Sequence, residues 1–156
     1  MSVPRVGLGF DVHPRQEGRE LWLGGILFPD EAGLAGHSDG DAVCHALADA
    51  LLGAAGLGDL GAHFPEGDPA FAGIAGLEVL RRTASLVAQA ELVPASCDVT
   101  VICDRPPVAP RREEMRVALA GVLGLDVGSV SVKATRPEGL GLSGAGAGCL
   151  AVAVLT

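Results

Sequence analysis

Residues 3–13, which read VPRVGLGFDVH, indicate how the fold begins. Apolar side chains occupy every second position, at Val6, Leu8, Phe10 and Val12. The positions between them carry Gly7, Gly9, Asp11 and His13. A period of two predicts a β-strand with one apolar face. The same period places the carboxylate of Asp11 and the imidazole of His13 side by side on the other face.

A helix is predicted after this strand, over residues 38–52, within the stretch SDGDAVCHALADALLGAAG. Ser38 is expected to be its N-cap, with Asp41 in a box-like position three residues later. The glycines at positions 53 and 56 are expected to end it. His45 then lies on the helix, one turn before Asp49.

The remaining elements alternate in type along the chain. Further strands are predicted over residues 21–28, 97–103, 130–135 and 149–155. Helices are predicted over residues 74–89 and 111–123, and loops over 29–36, 58–69 and 106–110. This order predicts one α+β domain over residues 1–156, with a mixed β-sheet and one layer of helices on one face.

Composition limits the possible functions. Hydrophobic residues make up 49% of the chain and aromatic residues 3%, so a core of closely packed small side chains is expected. The net charge of −8 argues against a general nucleic-acid binder, which would carry a basic face. It leaves an anionic ligand possible, because a metal and backbone amides can bind phosphate locally.

The cysteines and the apolar stretches predict where the protein resides. Cys44, Cys97, Cys103 and Cys149 form no CxxC pair and lie in apolar stretches, which favours reduced, buried thiols. No signal peptide is visible, and the apolar stretches are too short or too glycine-rich to span a bilayer. A cytoplasmic protein without a membrane partner is therefore expected.

Three side chains could form a metal site. Asp11, His13 and His45 offer one carboxylate and two imidazoles, which suit zinc and leave a fourth corner open, as in catalytic sites. The alternative is a polar strand end hydrogen-bonded to a turn. Asp49 could orient His45, contact substrate, or be a solvated helix carboxylate.

Other segments could bind an anion or a sugar. His37 and Ser38 precede a helix N-terminus that attracts anions, although an ordinary capped helix start would look the same. The turn at residues 58–61 and the Phe64-Pro65-Glu66 stretch could hold a sugar or be surface turns. At the end of a strand, Thr135 and Arg136 can donate to phosphate, and Glu138 can hold a divalent cation. The glycine run at residues 139–148 lacks a Walker motif and favours close chain packing.

These pieces, in this order, resemble the 2-C-methyl-D-erythritol 2,4-cyclodiphosphate synthase family. The resemblance covers nearly the whole chain. Its segments are GFDVH at 9–13, AGHSDGD at 35–41 followed by His45, ADALLGAAGLGDLG at 48–61, FPEGDPAF at 64–71, DVTVI at 98–102, VKAT at 132–135 and EGLGLSG at 138–144.

The resemblance implies a homotrimer with active sites between adjacent subunits. It implies a CMP-releasing cyclodiphosphate synthase, a phosphorus–oxygen lyase of the methylerythritol phosphate route to isoprenoid precursors. In that reaction the 2-phosphate of 4-diphosphocytidyl-2-C-methyl-D-erythritol 2-phosphate attacks the β-phosphorus and CMP leaves. The implied cofactors are one Zn²⁺ per subunit on Asp11, His13 and His45, and a second cation, Mg²⁺ or Mn²⁺, at Glu138.

The resemblance also assigns the site residues. Catalytic roles fall on His37 and Arg136, and the cytosine pocket on the loop at residues 103–109. The full set of implied substrate contacts is Asp11, His13, His37, Ser38, Asp59, Leu60, Gly61, Phe64, Pro65, Glu66, Gly67, Asp68, Cys103, Asp104, Arg105, Pro106, Pro107, Val108, Ala109, Thr135, Arg136, Glu138 and Leu142.

The chain departs from the family pattern at several positions. Arg136 and Pro137 replace two threonines, Pro107 replaces a common lysine, Glu66 replaces an aspartate, and Ala145 and Ala147 replace an arginine and a glutamate that line the trimer's central cavity. These changes leave the metal ligands intact and bear on the substrate. The alternatives are a cyclase for a different nucleotide-linked phosphorylated polyol and a non-catalytic trimer that binds zinc and a nucleotide.

Overall fold

The chain forms a mixed α+β fold in the computed structural model, which describes residues 3–141 and 145–156. Its strands are β1 (Arg5–Leu23), β2 (Ile26–Leu34), β3 (Pro94–Cys103), β4 (Val130–Thr135) and β5 (Gly146–Leu155). Its α-helices are α1 (Ala42–Ala55), α2 (Leu60–His63), α3 (Gly76–Gln89) and α4 (Arg112–Leu123). Short 3-10 turns lie at Pro69–Phe71, Ala109–Arg111 and Val127–Ser129. The prediction of an α+β fold is confirmed.

The strands form one sheet in the order β2-β1-β5-β3-β4. All neighbouring pairs are antiparallel except β3 and β4, which run parallel and are connected through α4. Helix α1 packs on β1 and β5, and α3 packs on α1. The buried leucines and alanines of α1 form the centre of the core, as the low aromatic content leads one to expect.

Several predicted boundaries were wrong. Residues 21–28 were expected to be a second strand or hairpin arm, but the turn at Gly24 and Gly25 divides them between the end of β1 and the start of β2. Residues 29–36 were expected to be a loop, but β2 continues to Leu34 because β1 runs on to Leu23 and pairs with it as a long hairpin. The expected loop at 58–69 contains the short helix α2, which Asp59 caps. Helix α1 continues through Gly53 and ends at Gly56, whose left-handed φ of 72° suits glycine.

The N-cap of α1 is Asp41 and not Ser38. The carboxylate of Asp41 is fully buried and accepts hydrogen bonds from the amides of Val43 and Cys44 in the first turn of the helix. It also accepts from the amides of Gly24 and Gly25 at the β1–β2 turn, at 2.8 and 2.7 Å. Asp41 is the N-cap because its carboxylate accepts hydrogen bonds both from the amides of the first helical turn and from the amides of the β1–β2 turn.

The apolar face of β1 points away from α1. Val6 and Leu8 are 68% and 67% exposed, and Phe10, Val12, Leu150 and Val152 extend the same exposed surface. The other face of β1 carries Gly7 and Gly9 and lies directly against α1. The predicted strand is confirmed, but the core lies on its glycine side because only glycine allows so close a helix.

Two other observations concern the cysteines and the membrane. All four cysteines are buried free thiols, as predicted. Within the described residues, no helix is both long and apolar enough to cross a membrane.

The contact between β1 and α1 predicts a large effect of a single methyl group. A Cβ at Gly9 would lie 1.8 Å from the carbonyl oxygen of Ala46, so Gly9→Ala must push the helix away. We expect the free energy of unfolding to fall by about 2–3 kcal/mol, as for other overpacked cores. Urea denaturation measures this change. The matched control is Gly53→Ala within α1, where a Cβ meets nothing within 4 Å, and it should be neutral or stabilising by up to about 1 kcal/mol. An equal urea midpoint for the two variants would contradict the close contact.

Candidate active site

Strand β1 and helix α1 bring three potential metal ligands together. Asp11 and His13 project from the glycine side of β1 toward α1, and His45 meets them from the first turn of the helix. Asp11 Oδ2 lies 2.7 Å from His13 Nε2 and 3.3 Å from His45 Nδ1. The three ligand atoms all lie within 4.8 Å of one another, which is a possible metal site.

The carboxylate of Asp11 supplies a negative charge at this triad. Burial raises the pKa of Asp11, but hydrogen bonds from His13 and His45 outweigh it and lower the pKa to about 2. Burial lowers the pKa of His45, but the hydrogen bond and negative charge of Asp11 raise it above its usual value. Asp11 Oδ2 and His13 Nε2 are buried, and among the residues that the structure describes they have no hydrogen-bond partner outside the triad. A metal held between these atoms would satisfy them, and one oxygen with two nitrogens suits a tetrahedral site.

Ser38 fixes the orientation of His45. The hydroxyl Oγ lies 3.1 Å from His45 Nε2, the ring nitrogen that faces away from Asp11. Without a metal, His45 Nδ1 can donate to Asp11; with a metal on the triad, Nδ1 must give up its hydrogen, and Nε2 would then carry the hydrogen and donate it to Ser38. Asp49, one of the candidates for this orienting role, accepts from the amide of Leu60 at 3.0 Å instead.

A pocket of about 240 Å³ opens beside the triad. Residues from the α1, α2 and α3 regions complete its wall: His37, Ser38, Leu60, Gly61, Phe64, Glu66, Phe71, Ile74 and Val79. The ring of His37 donates from Nε2 to the carbonyl of Asp68 at 2.9 Å, and its own carbonyl accepts from Gly73 at 2.8 Å. His37 thereby ties the wall of the pocket to the segment that follows α2.

Some wall residues were not predicted from the sequence. Phe71 packs edge-on against Phe64 with ring centroids 5.3 Å apart, and its presence in an aromatic-poor loop was a usable signal. Ile74 and Val79 gave no such signal, because apolar residues at a helix start look like ordinary core. Asp59, Pro65, Gly67 and Asp68 do not line this pocket. Asp59 is the cap of α2, and Asp68 contributes its backbone carbonyl to His37.

A second, larger pocket of about 640 Å³ lies at the far edge of the sheet. The loop after β3 and the end of β4 line it, through Cys103, Asp104, Arg105, Pro107, Ala134, Thr135 and Arg136. Pro106 and Val108 are buried instead, and Ala109 begins a 3-10 turn. Glu138 is exposed and lines neither pocket, and Leu142 lies outside the described residues.

The two pockets share no lining residue and lie on different strands of the sheet. Thr135 is in register with Ile102, Ile102 with Gly148, and Gly148 with Val12. Three strand spacings therefore separate Thr135 from Val12, about 14 Å. Thr135 shares the face of Val12, whereas Asp11 and His13 occupy the face that meets α1.

The profile of the YgbB family matches residues 4–156. The chain belongs to the YgbB family. Family membership predicted from the sequence is thus confirmed, and nearly the whole chain takes part in the match.

Characterised relatives are of two kinds. The chain is 50% identical to the "Bifunctional enzyme IspD/IspF" of Novosphingobium aromaticivorans over 99% of this chain. It spans only 40% of that relative's length. It is 49% identical to the 2-C-methyl-D-erythritol 2,4-cyclodiphosphate synthase of Symbiobacterium thermophilum, over 96% of this chain and 95% of the relative.

Solved structures show the same fold. A 2C-methyl-D-erythritol-2,4-cyclodiphosphate synthase in a CDP-bound form superposes with a TM-score of 0.89 at 37% identity, over 97% of this chain and 100% of the other. The bifunctional IspDF of Campylobacter jejuni superposes with a TM-score of 0.92 at 36% identity. That match covers 98% of this chain and 42% of the larger protein.

The triad predicts which histidines hold metal. His13→Ala and His45→Ala should lose bound metal, because each removes one of three ligands; loss of even an outer-shell partner costs about 10–100-fold in affinity. Elemental analysis after dialysis measures the stoichiometry. His63→Ala is the matched control and should keep its metal, since the His63 ring contacts the Leu57 carbonyl at 2.8 Å, outside the triad. Full metal content in both triad variants would contradict the site.

Proposed function

We propose that this chain catalyses the cyclisation of 4-diphosphocytidyl-2-C-methyl-D-erythritol 2-phosphate. An oxygen of the 2-phosphate attacks the β-phosphorus, the bond from that phosphorus to the bridging oxygen breaks, and CMP leaves with 2-C-methyl-D-erythritol 2,4-cyclodiphosphate as the ring product. The observation that carries the proposal is the Asp11–His13–His45 triad beside a pocket, in a chain 49% identical to a relative named for this activity.

The proposed metal is zinc on the triad. Bound there, zinc would act as a Lewis acid and a template for phosphate oxygens. Ser38 keeps the ring of His45 aligned, and His37 and Ser38 line the pocket where the phosphorylated polyol would lie. Apolar side chains such as Phe64 and Phe71 restrict water at this end. Catalysis then rests on positioning and charge neutralisation, as in other phosphoryl transfers.

The proposed nucleotide site is the second pocket. Its loop at residues 103–109 offers backbone groups to the cytosine, and the guanidinium of Arg136 together with Thr135 faces the position proposed for the diphosphate. Arg105 is held by Glu31 at 3.1 Å, which steadies the loop. Glu138, three residues after Thr135, is the proposed ligand for magnesium or manganese.

One substrate must contact both pockets, which motivates a homotrimer. The two pockets share no lining residue, and three strand spacings, about 14 Å, separate the strands that carry them. The family resemblance implies that active sites form between adjacent subunits, which would bring the two kinds of pocket together. The face of β1 and β5 that bears Leu8, Phe10 and Leu150 is exposed and apolar, and such a surface favours association. We propose that three copies bury this face and join the metal pocket of one copy to the nucleotide pocket of the next. A cytoplasmic location remains a prediction from the sequence.

The proposed reaction is tested with the purified chain, zinc, magnesium and the diphosphocytidyl substrate. CMP and the cyclic diphosphate should appear in equal amounts. Arg136→Ala should lower kcat on the order of 10²-fold with a smaller change in KM, as for one lost preorganised donor. Arg112→Ala, an exposed arginine on α4, is the matched control. No CMP from the unaltered chain would overturn the function. Unchanged kinetics in Arg136→Ala and Arg136→Thr would remove Arg136 from catalysis, and a faster Arg136→Thr enzyme would point to a different natural polyol.

The shared site predicts complementation between two inactive variants. His13→Ala damages the metal pocket and Arg136→Glu the nucleotide pocket, so trimers mixed from equal amounts regain sites with both halves intact. Random assembly gives about a quarter of the normal number of active sites, and trimers that contain both variants have roughly one intact site in three. Two affinity tags isolate the mixed trimers, and light scattering should give three times the mass of the chain. A monomeric mass, or mixed trimers without activity, would contradict this arrangement.

A further inference from the structure

The segment between β2 and α1 carries two residues of the proposed site but has no regular structure of its own. It covers residues 35–40 and includes His37 and Ser38. Its backbone hydrogen bonds run from the amide of Ala35 to the carbonyl of Pro14 at 2.9 Å and from the amide of Asp39 to the carbonyl of Ile74 at 3.1 Å, and the carbonyl of His37 accepts from the amide of Gly73 at 2.8 Å. The carbonyls of Gly36 and Ser38 depend on a side chain from elsewhere.

That side chain is Arg19 of β1. Its guanidinium donates from Nη1 to the carbonyl of Gly36 at 2.6 Å and from Nη2 to the carbonyl of Ser38. These two carbonyls flank His37. One rigid group therefore holds both sides of the residue, and its charge strengthens both hydrogen bonds.

The irregular pairing of β1 with β2 allows Arg19 to reach this position. The register shifts between Gln16 and Glu20 and again between Glu20 and Leu21, as in a β-bulge. Bulges redirect side chains, and they are common next to active sites. Arg19 lies inside the shifted stretch, six residues after the metal-ligand candidate His13 on the same strand.

The position of this segment determines the position of two imidazole rings, those of His37 and His45. Ser38 Oγ contacts His45 Nε2 at 3.1 Å, and the His37 ring donates to the Asp68 carbonyl at 2.9 Å. A displacement of the backbone at residues 36–38 would therefore turn His45 within the triad and move His37 in the pocket wall.

We propose that Arg19 is a positioning residue for the reaction, which aligns His37 and Ser38 by clamping the carbonyls on both sides of His37. The role in turnover rests on the proposed function, whereas the clamp itself does not. Lysine cannot replace it, because an ammonium is a single point charge and the two carbonyls require the planar fork of a guanidinium.

Kinetics with chemical rescue test the role in turnover. Arg19→Ala and Arg19→Lys should both lower kcat by about 10–100-fold, the cost of a small misalignment, with KM changed less. Guanidinium at tens of millimolar, below denaturing concentrations, should restore part of the activity of Arg19→Ala, whereas sodium at equal ionic strength should not. Arg81→Ala is the matched control, since Arg81 is an exposed helix residue paired with Glu78. Normal kcat in both Arg19 variants, or a loss that guanidinium does not relieve, would overturn the positioning role.

A second measurement needs no substrate. The chain has 4 histidines, so imidazole ¹H–¹⁵N spectra of the zinc-loaded protein can be assigned by substitution. In Arg19→Ala the resonances of His37 and His45 should shift or broaden, and those of His63 should not. Unchanged His37 and His45 signals would overturn the clamp. If the unaltered chain releases no CMP while these signals shift, the proposed reaction fails and the clamp stands.

Discussion

The buried carboxylate of Asp41 is the interaction on which the rest of the site depends. Its two oxygens accept from the amides of Gly24, Gly25, Val43 and Cys44, so one side chain joins the β1–β2 turn to the start of α1. A buried charge is costly unless it is fully hydrogen-bonded, and here backbone donors that would otherwise lack partners provide those bonds. Asp39 adds a similar link to the start of α3 through the amide of Gly76 at 2.7 Å.

These hydrogen bonds fix where α1 begins relative to the β1–β2 turn. Gly7 and Gly9 fix how closely the helix packs on the sheet. Because neither glycine has a Cβ, the carbonyls of Ala46 and Ala50 lie almost on β1. His45 is thereby brought within 3.3 Å of Asp11, and its ring centroid lies 5.6 Å from that of His13. Polar residues can lie here because the burial that raises the pKa of Asp11 is outweighed by its two imidazole neighbours.

The same packing explains why the two faces of the sheet carry different side chains. Since glycines face the helix, the larger side chains of β1 must face outward, where Leu8 and Phe10 remain exposed in the single chain. The proposed trimer removes this apolar surface from water and brings the pocket of Thr135 and Arg136 to the metal pocket of a neighbour. Stability and catalysis would then share one cause, because the surface that drives association also completes the active site.

Local sequence patterns were enough to propose the three metal-ligand candidates and most of the strands and helices. The alternation in residues 3–13 predicted that Asp11 and His13 share a face, and the motif resemblance selected His45 and the family. Local patterns suffice for these features because side-chain direction in a strand or helix follows from its period. The resemblance, and no local pattern, pointed to the loop at residues 103–109 as a ligand pocket, and the structure places residues of that loop in one pocket with Thr135 and Arg136.

Only the tertiary structure decided the features that depend on residues distant in the chain. Ser38 satisfies the usual preferences of an N-cap, yet Asp41 takes that role because the amides of Gly24 and Gly25 also need an acceptor. The apolar side of β1 resembles a core face, yet it points outward because α1 approaches the glycine side. Arg19 resembles any exposed arginine until the bulge in β1 directs its guanidinium to the carbonyls beside His37. In each case the deciding partner lies at least 16 residues away, as between Gly25 and Asp41, so no local pattern can reveal it.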